Sequence, residues 1–412
     1  MDDTTQAIAN LRAQFPATEK LVYLDVAARG LISRPVRAAV DRYLDHRMTE
    51  GADKAALFEQ VERTRVRFAE FIGATADEIS FSKNVSDGIN AFATAMPWQA
   101  GDNVVICETL EHPANIFPWR NLAKLKGIEL KIVAPEQGRI PLDKLVGAID
   151  SRTRVVTLSS VSFSPGFRFP VAVLGAECRR RGVYLVIDAA QSIGILATNV
   201  VAQNIDVMAS SMQKGLLGLY GAGFLYVRHE IASQLQPVYL SRFGVDLGSG
   251  HEAASGDLEH YELAKGARRF DVGNHNYIAA VAIERSLKEL QAIGIDAVEK
   301  HACGLSQRLA IGLENAGLPV FGGASAPERA HMVTIGADLS DKHDKADDPA
   351  VTGFHQYLLA NNVRATIRRG MLRFSPHIYN NNDDIDAVIE LARTWSVDRN
   401  ASSFIKARAA GA

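Results

Sequence analysis

Between about residue 60 and residue 230, apolar runs of strand length alternate with stretches of helical spacing. This alternation is typical of a parallel sheet whose strands are joined by crossover helices. Several runs are continuously apolar, as strands buried on both faces are. The pattern therefore predicts an α/β domain built on a mostly parallel, seven-stranded sheet with these strands: EISFSK (78–83), NVVICET (103–109), LKIVAP (130–135), RVVTLSSVS (154–162), VYLVIDAA (183–190), DVMASS (206–211) and GFLYVR (223–228).

A second, smaller domain is predicted beyond residue 276. Apolar side chains at helical spacing predict a long linking helix: Ile283, Leu287, Leu290 and Ile293. Later segments are typical of strand, helix, strand and helix in turn, an α+β arrangement: 331–337, 351–361, 363–375 and 383–396. The predicted domains are residues 1–25, a segment that packs on the small domain; residues 26–276, the large domain; and residues 277–412, the linking helix with the small C-terminal domain.

The charge and cysteine content exclude several classes of partner and site. The 412 residues contain 45 Lys and Arg against 47 Asp and Glu, so we expect neither nucleic acid nor a membrane as a partner. No window reaches about 18 uninterrupted apolar residues, and the N-terminus has no apolar signal region, which favours a cytoplasmic protein. The cysteines Cys107, Cys178 and Cys303 form no CxxC pair, and no HExxH motif is present, so we expect no metal site.

Two polar residues follow neighbouring apolar strands. Asp188 ends the strand VYLVID, and Lys214 follows DVMASS 26 residues later and precedes the glycine-rich run GLLGLYGAG. Taken alone, such an aspartate is more often a turn or helix-cap residue, and a lone lysine is usually a solvated charge. Together they suit a pyridoxal phosphate site, in which the lysine forms a Schiff base with the cofactor aldehyde and the aspartate keeps the pyridine nitrogen protonated.

These motifs resemble those of the class V aminotransferase and cysteine desulfurase family of fold type I pyridoxal phosphate-dependent enzymes. The resemblance runs from YLDVAA (23–28) to LRFSPH (372–377), and DAAQS and SxxK followed by GxxGxGxxYV are its most specific parts. It implies that residues 26–276 bind pyridoxal 5′-phosphate. By the same resemblance Lys214 is the internal aldimine lysine, Asp188 is the partner of the pyridine nitrogen and Gln191 donates to the cofactor's phenolic oxygen.

The resemblance assigns further groups to the cofactor. In FSKNVSDGIN (81–90), the amides near Val85 and the hydroxyl of Ser86 are expected to hold the phosphate at the positive end of a helix. Ser211, three residues before the lysine, is placed like the family's phosphate-binding serine. His112, in the EHxAN-like part of ETLEHPANIFPW (108–119), is expected to stack on the cofactor ring. On residue type alone, Ser86 is as easily a helix cap and His112 more often a loop residue.

The same resemblance places a substrate-binding arginine near the C-terminus. Arg373 in GMLRFSPH matches the residue that receives the substrate α-carboxylate, and its planar guanidinium suits two-point binding of a carboxylate. Three neighbouring arginines are close enough in sequence to be confused with it, although a surface salt bridge is the simpler reading for each: Arg364, Arg368 and Arg369.

Three residues depart from the family pattern without removing the site. Gln213 stands where a histidine commonly contacts the phosphate, and we expect it to bind there. Phe163, where desulfurases usually carry an asparagine, is expected to line the substrate pocket. Asn274 replaces a threonine that normally reaches the phosphate of the neighbouring subunit, and an asparagine still donates hydrogen bonds. The resemblance therefore implies a homodimer with shared active sites.

A fourth departure bears on the reaction. A desulfurase needs a cysteine nucleophile shortly before the carboxylate-binding arginine, and NNVRATIRRGMLRFSPH (361–377) contains none, so persulfide chemistry is not expected.

The shared first step is removal of the Cα proton of an amino acid by Lys214, within the external aldimine, to give a carbanion. We favour β-elimination of the carbon–sulfur lyase type. Transamination and racemisation or epimerisation stay open, as does a ligand-binding module without catalysis.

Overall fold

A computed structural model describes residues 3–246, 261–340, 345–346 and 348–410. The α-helices in this part of the chain are α1 (Asp3–Arg12), α2 (Arg34–Thr49), α3 (Lys54–Ile72), α4 (Val85–Ala95), α5 (Phe117–Lys126), α6 (Leu142–Ala148), α7 (Val171–Arg181), α8 (His229–Ala232), α9 (Tyr277–Ile293), α10 (Ile295–Asn315), α11 (Pro349–Ala360) and α12 (Asn382–Ala410). None of these helices combines the length and the apolarity needed to cross a bilayer.

The strands in the same part of the chain are short and belong to several sheets. They are β1 (Val22–Tyr23), β2 (Ile79–Ser82), β3 (Asn103–Ile106), β4 (Glu129–Ile132), β5 (Thr153–Ser159), β6 (Tyr184–Asp188), β7 (Val207–Ser211), β8 (Gly223–Val227), β9 (Val245–Asp246), β10 (Glu262–Leu263), β11 (Val333–Ile335), β12 (Val363–Arg364), β13 (Thr366–Arg368) and β14 (Met371–Phe374).

Contacts divide the chain into two units. The large unit consists of Ile32–Val161 and Phe169–Ala292. The small unit consists of the residues up to Leu31, of Ser162–Arg168 and of the residues from Ile293 onward. This boundary falls at the C-terminal end of α9, whereas the boundary predicted from the sequence lies before that helix. The short insert 162–168 belongs to the small unit because its backbone pairs with the segment around residues 328–329.

The large unit is built on a seven-stranded sheet of order β2-β8-β7-β6-β5-β3-β4. Each strand corresponds to one of the predicted runs, so the predicted α/β class and the mostly parallel sheet are confirmed. Among these seven strands, β8 alone runs antiparallel to the other six. Strands β3, β6, β7 and β8 are almost wholly buried, which is why their sequences are continuously apolar.

The strand register places the carboxyl ends of the parallel strands along one edge of this sheet. Ser82 pairs with Gly223, which also pairs with Ser211, and Ser159 pairs with Asp188. The loops that leave these strand ends therefore start side by side. In open α/β sheets this edge is where ligands bind.

The small unit contains a three-stranded antiparallel sheet of order β11-β14-β13 and the parallel pair β1-β12. Helices α10, α11 and α12 contribute to its apolar core. The prediction of one strand over 363–375 is wrong, because the segment is divided into β12, β13 and β14. Arg369 and Gly370, with φ values of 53° and 78°, form the two-residue turn of the β13–β14 hairpin.

A buried ion pair holds α3 to the sheet of the large unit. The Arg65 guanidinium lies 2.8 Å from the Asp271 carboxylate, and both side chains are under 5% exposed. The other oxygen of Asp271 accepts hydrogen bonds from the Ser80 hydroxyl and from the Phe81 N–H of β2. Removing the Asp271 carboxylate leaves buried Arg65 with the partly exposed Glu62, 3.3 Å away, as its remaining counterion, which is far costlier than losing an exposed pair.

We expect Asp271→Ala to lower the free energy of unfolding by about 3–5 kcal/mol, because Arg65 stays buried and cationic. Glu59→Ala is the matched control, since its partner Arg63 lies 3.6 Å away on the exposed face of α3 and such pairs contribute at most about 1 kcal/mol. Urea unfolding followed by circular dichroism, with both variants in the same ligand state, measures the difference. Equal losses in the two variants would contradict the importance of this pair.

Candidate functional site

The first turn of α4 is a candidate anion-binding end of a helix. Asn84 caps the helix, and its side-chain oxygen accepts from the N–H of Asp87 at 3.0 Å. Ser86 is therefore not the cap, which removes that alternative reading of the motif. Val85 and Ser86 occupy the first two helical positions, whose N–H groups have no partner inside a helix and carry its positive end.

Ser211 ends β7, which β8 separates from the end of β2, the strand that precedes α4. Ser211 is 3% exposed, and its hydroxyl oxygen has no hydrogen-bond partner among the described residues. A buried hydroxyl without a partner costs free energy, so the position suits a ligand that supplies one. Together with the first turn of α4, this fits the phosphate group predicted from the sequence.

Asp188 ends β6 and lies in the interior, 3% exposed. The N–H of Ala190 donates to its carboxylate at 2.8 Å. Burial raises the pKa of Asp188 above its ordinary value, while the Ala190 N–H and the positive charge of Lys214 act in the opposite direction. The charge of Lys214 therefore lies within electrostatic range of the Asp188 carboxylate.

A close backbone contact brings the loops after β6 and β7 together. A Cβ added to Gly194 would lie 2.4 Å from the carbonyl carbon of Gly215, and one added to Gly215 would lie 2.4 Å from the Ile193 oxygen. Real side chains do not fit at such distances, so only glycine permits this approach. This close contact brings together the turn that contains Gln191 and the loop that contains Gln213 and Lys214. Gln191 is buried, and Gln213 and Lys214 are half-buried.

His112 lies on the loop between β3 and α5. It is exposed and caps the 3₁₀ turn Pro113–Asn115, with its Nδ1 accepting from the N–H of Ala114 at 3.2 Å. In the neutral imidazole this contact leaves the proton on Nε2. The ring orientation is thus set by its own loop.

Glu111, which is buried beside His112, was not among the site residues predicted from the sequence. Its carboxylate accepts from the N–H and the hydroxyl of Ser159, both at 2.7 Å, and from the side-chain amide of Asn115 at 2.8 Å. Burial raises the pKa of Glu111 to about 7 against these hydrogen bonds. The available signal was its place in the EHxAN-like segment, but sequence alone does not show that this carboxylate faces inward.

Phe163 and Arg373 lie together in the small unit. The Arg373 guanidinium is 2% exposed, donates to the Phe163 carbonyl at 2.6 Å and lies 3.7 Å from the Asp25 carboxylate. Burial lowers the pKa of Arg373 to about 10, so it remains cationic at neutral pH. Its Nε is buried without a hydrogen-bond partner among the described residues, which leaves one donor for an anion.

The neighbouring arginines are arranged differently. Arg364 and Arg368 are half-buried and donate to backbone carbonyls, of Leu359 at 3.2 Å and of Ile367 at 2.8 Å respectively. Arg369 occupies the hairpin turn. None of the three is as deeply buried as Arg373.

Asn274 lies in the exposed stretch that precedes α9. The structure holds one chain, so the predicted contact of this residue with a second subunit stays a prediction.

All three cysteines fall within the described residues. Cys107 and Cys178 are buried and Cys303 is partly buried. Burial raises the thiol pKa to about 12 in the first two and to about 11 in the third. Because the thiolate is the nucleophile, these groups are inert at neutral pH.

Comparisons with known proteins show which family and fold the chain shares. The family model described as class V aminotransferases matches residues 22–388. A probable cysteine desulfurase of Pyrococcus abyssi is 28% identical, covering 92% of this chain and 95% of the relative. Probable cysteine desulfurase 2 of Mycobacterium leprae is 30% identical, covering 93% and 95%. The solved structure of the cystine C-S lyase C-DES with cysteine persulfide is similar in fold, with a TM-score of 0.81 at 22% identity and coverage of 92% and 99%.

We expect the three thiols of the native protein to react with a disulfide reagent such as Ellman's reagent at pH 8 at least about 100-fold more slowly than a small-molecule thiol, because so little thiolate is present. In urea all three should react at the ordinary rate. A thiol that reacts in the native protein within seconds would contradict the burial described here and would reopen persulfide chemistry.

Proposed function

The chain belongs to the class V aminotransferase family of pyridoxal phosphate-dependent enzymes, and from that membership we propose that it eliminates a leaving group from Cβ of an amino acid, as a carbon–sulfur lyase does. The observation that carries the proposal is the coupling of buried Asp188 with Lys214 in a chain whose three thiols are all held protonated by burial. A cysteine desulfurase mechanism needs a thiol nucleophile shortly before the carboxylate-binding arginine, and residues 361–377 contain no cysteine.

When bound, pyridoxal phosphate supplies a ring that withdraws electrons from Cα of the substrate. Asp188 would accept a hydrogen bond from the protonated ring nitrogen, and its negative charge would keep that proton in place. Gln191 would donate to the phenolic oxygen, and His112 would stack on the ring. The buried position of Asp188 strengthens its effect, because water does not screen the charge.

The phosphate would be held by groups that have no partner inside their helix or, for a side chain, among the described residues. The N–H groups of Val85 and Ser86 at the start of α4 and the buried hydroxyl of Ser211 meet this requirement. We propose that Gln213 contacts the same phosphate, and that Asn274 reaches the phosphate of a partner subunit in a homodimer with shared active sites.

Lys214 would accept the proton from Cα and return it to the leaving group or to the product. Lys214 is half-buried, and partial burial favours the neutral amine that can accept a proton. Arg373 is our candidate for the group that binds the substrate carboxylate, since it is cationic and its Nε has a donor to offer. Phe163, whose carbonyl orients Arg373, is the candidate for the pocket wall.

We expect the enzyme to convert L-cystine or another cysteine S-conjugate, with water, to pyruvate, ammonia and the sulfur group released from Cβ, without a keto-acid acceptor, because elimination needs none. Lys214→Ala should lower this turnover by about 1,000-fold or more, whereas Lys126→Ala, on the exposed end of α5, should not change it. The assay is pyruvate release measured with lactate dehydrogenase.

Other outcomes of the same incubation would replace the proposal. A strict need for a keto-acid acceptor would indicate transamination, and inversion at Cα would indicate a racemase or epimerase. A protein that takes up no pyridoxal phosphate would be a binding module of another kind.

Asp188→Ala should reduce kcat by about 100-fold or more, because the ring nitrogen loses the charge that keeps it protonated. Thermal stability should change little, since the variant loses a carboxylate whose burial is costly. Asp143→Ala, at the exposed start of α6, is the control. An unchanged kcat in Asp188→Ala, measured on protein saturated with cofactor, would reject the role given to this residue.

A further inference from the structure

The loop from Cys107 to Ile116 is held to the end of β5 by two inward-facing side chains. The Glu111 carboxylate receives three hydrogen bonds, two from Ser159 and one from Asn115. Both residues that make this attachment are buried, at 3% and 0% exposure for Glu111 and Asn115. The loop is therefore attached through defined polar contacts in the protein interior.

The contacts of Asn115 give this attachment a single orientation. The Asn115 oxygen accepts from the indole N–H of Trp119 at 3.0 Å and from the Thr157 hydroxyl at 2.8 Å, while its NH₂ donates to Glu111. Rotating the side-chain amide of Asn115 by half a turn would exchange its oxygen and its NH₂ and break its hydrogen bonds with Trp119, Thr157 and Glu111. An acceptor without a proton at position 111 is what this arrangement requires.

His112 lies between the two anchored residues and is exposed. Because Glu111 and Asn115 face the sheet, the intervening residue faces outward, and its Nδ1 contact with Ala114 then sets the ring. Ser159, the anchor on the sheet, pairs in register with Asp188. The attachment thus ties the loop of His112 to the strand that borders the strand of Asp188.

We propose that Glu111 is a positioning residue that fixes His112 for the cofactor ring through Ser159 and Asn115, an inference that rests on the proposed function. Its contribution lies in the orientation of the loop, and it does not touch the reacting atoms. A buried carboxylate is a costly choice for a residue that only fills space, since a protonated or apolar side chain avoids the desolvation penalty.

The surroundings of Glu111 agree with this role. Burial raises its pKa to about 7, the nearby charge of Asp188 acts in the same direction, and the hydrogen bonds from Ser159 and Asn115 oppose both. The neighbouring Cys107 thiol is uncharged at neutral pH, because its own pKa is raised to about 12. Hydrogen bonding is therefore what favours the ionised form of Glu111.

Three variants separate this role from general destabilisation. Glu111→Gln keeps the shape and turns one acceptor into a donor that meets the NH₂ of Asn115. The double variant Glu111→Gln/Asn115→Asp exchanges carboxylate and amide, so that the pair again matches one donor with one acceptor and Trp119 keeps its acceptor. Glu108→Gln makes the same change three residues earlier, where the carboxylate binds Arg120 at 2.8 Å instead of the sheet.

The measurements are the dissociation constant of pyridoxal phosphate for each apoprotein and the fluorescence emission of Trp119 without cofactor, in a background where Trp98 and Trp395 are replaced by Phe. We expect Glu111→Gln to weaken cofactor binding about 10-fold, or about 1.4 kcal/mol, and to shift the Trp119 emission. Glu108→Gln should do neither, and the double variant should restore both to within about twofold of the parent.

A second comparison tests whether the effect passes through His112. In a His112→Ala background, Glu111→Gln should change the dissociation constant less than about twofold, because the ring it positions is gone. An undiminished 10-fold loss in that background, or an effect of Glu111→Gln equal to that of Glu108→Gln, would overturn the positioning role alone. A parent protein that takes up no cofactor would overturn the proposed function itself, and the assignment of His112 with it.

Discussion

The candidate site depends on the common direction of six strands in the large sheet. Strands β2, β3, β4, β5, β6 and β7 run the same way, so their carboxyl ends, and the polar residues that follow them, lie along one edge. Residues about 130 positions apart, such as Ser82 and Ser211, thereby lie at the ends of strands that only β8 separates. Strand β8 runs in the opposite direction without disturbing this arrangement. Its first residue, Gly223, pairs with both Ser82 and Ser211 and lies between them.

Interior charge is the second constraint on this fold. The large unit buries Asp188, Glu111 and the pair Arg65–Asp271, and each must be balanced by hydrogen bonds or an opposite charge. Asp271 is matched by Arg65 and serves the structure. The negative charge of Asp188 is stabilised by Lys214 and by one backbone N–H, and these do not fully compensate for its burial. Incomplete balance of this kind is typical of functional sites.

Much of the architecture was predictable because its signals are local. Seven strand-length runs predicted the seven strands, and the signal is clearest for β3, β6, β7 and β8, because strands buried on both faces are largely apolar. The hairpin at Arg369 and Gly370 was missed because a two-residue turn interrupts an otherwise strand-like run. The loop anchor was missed for another reason: the partners of Glu111 lie 48 residues away at Ser159, and no spacing rule connects them.

The sequence by itself determined the chemical types in the site and their order along the chain: an aspartate and a lysine after apolar runs, a serine-bearing helix start and three cysteines, none of which lies within residues 361–377 around Arg373. Only the tertiary structure decided which of these groups are buried, which act on one another and which thiols are inert. Burial and distance depend on contacts between remote segments, such as the approach of Gly194 to Gly215. These contacts set the pKa values and orientations on which the chemistry depends, and a linear sequence does not contain them explicitly.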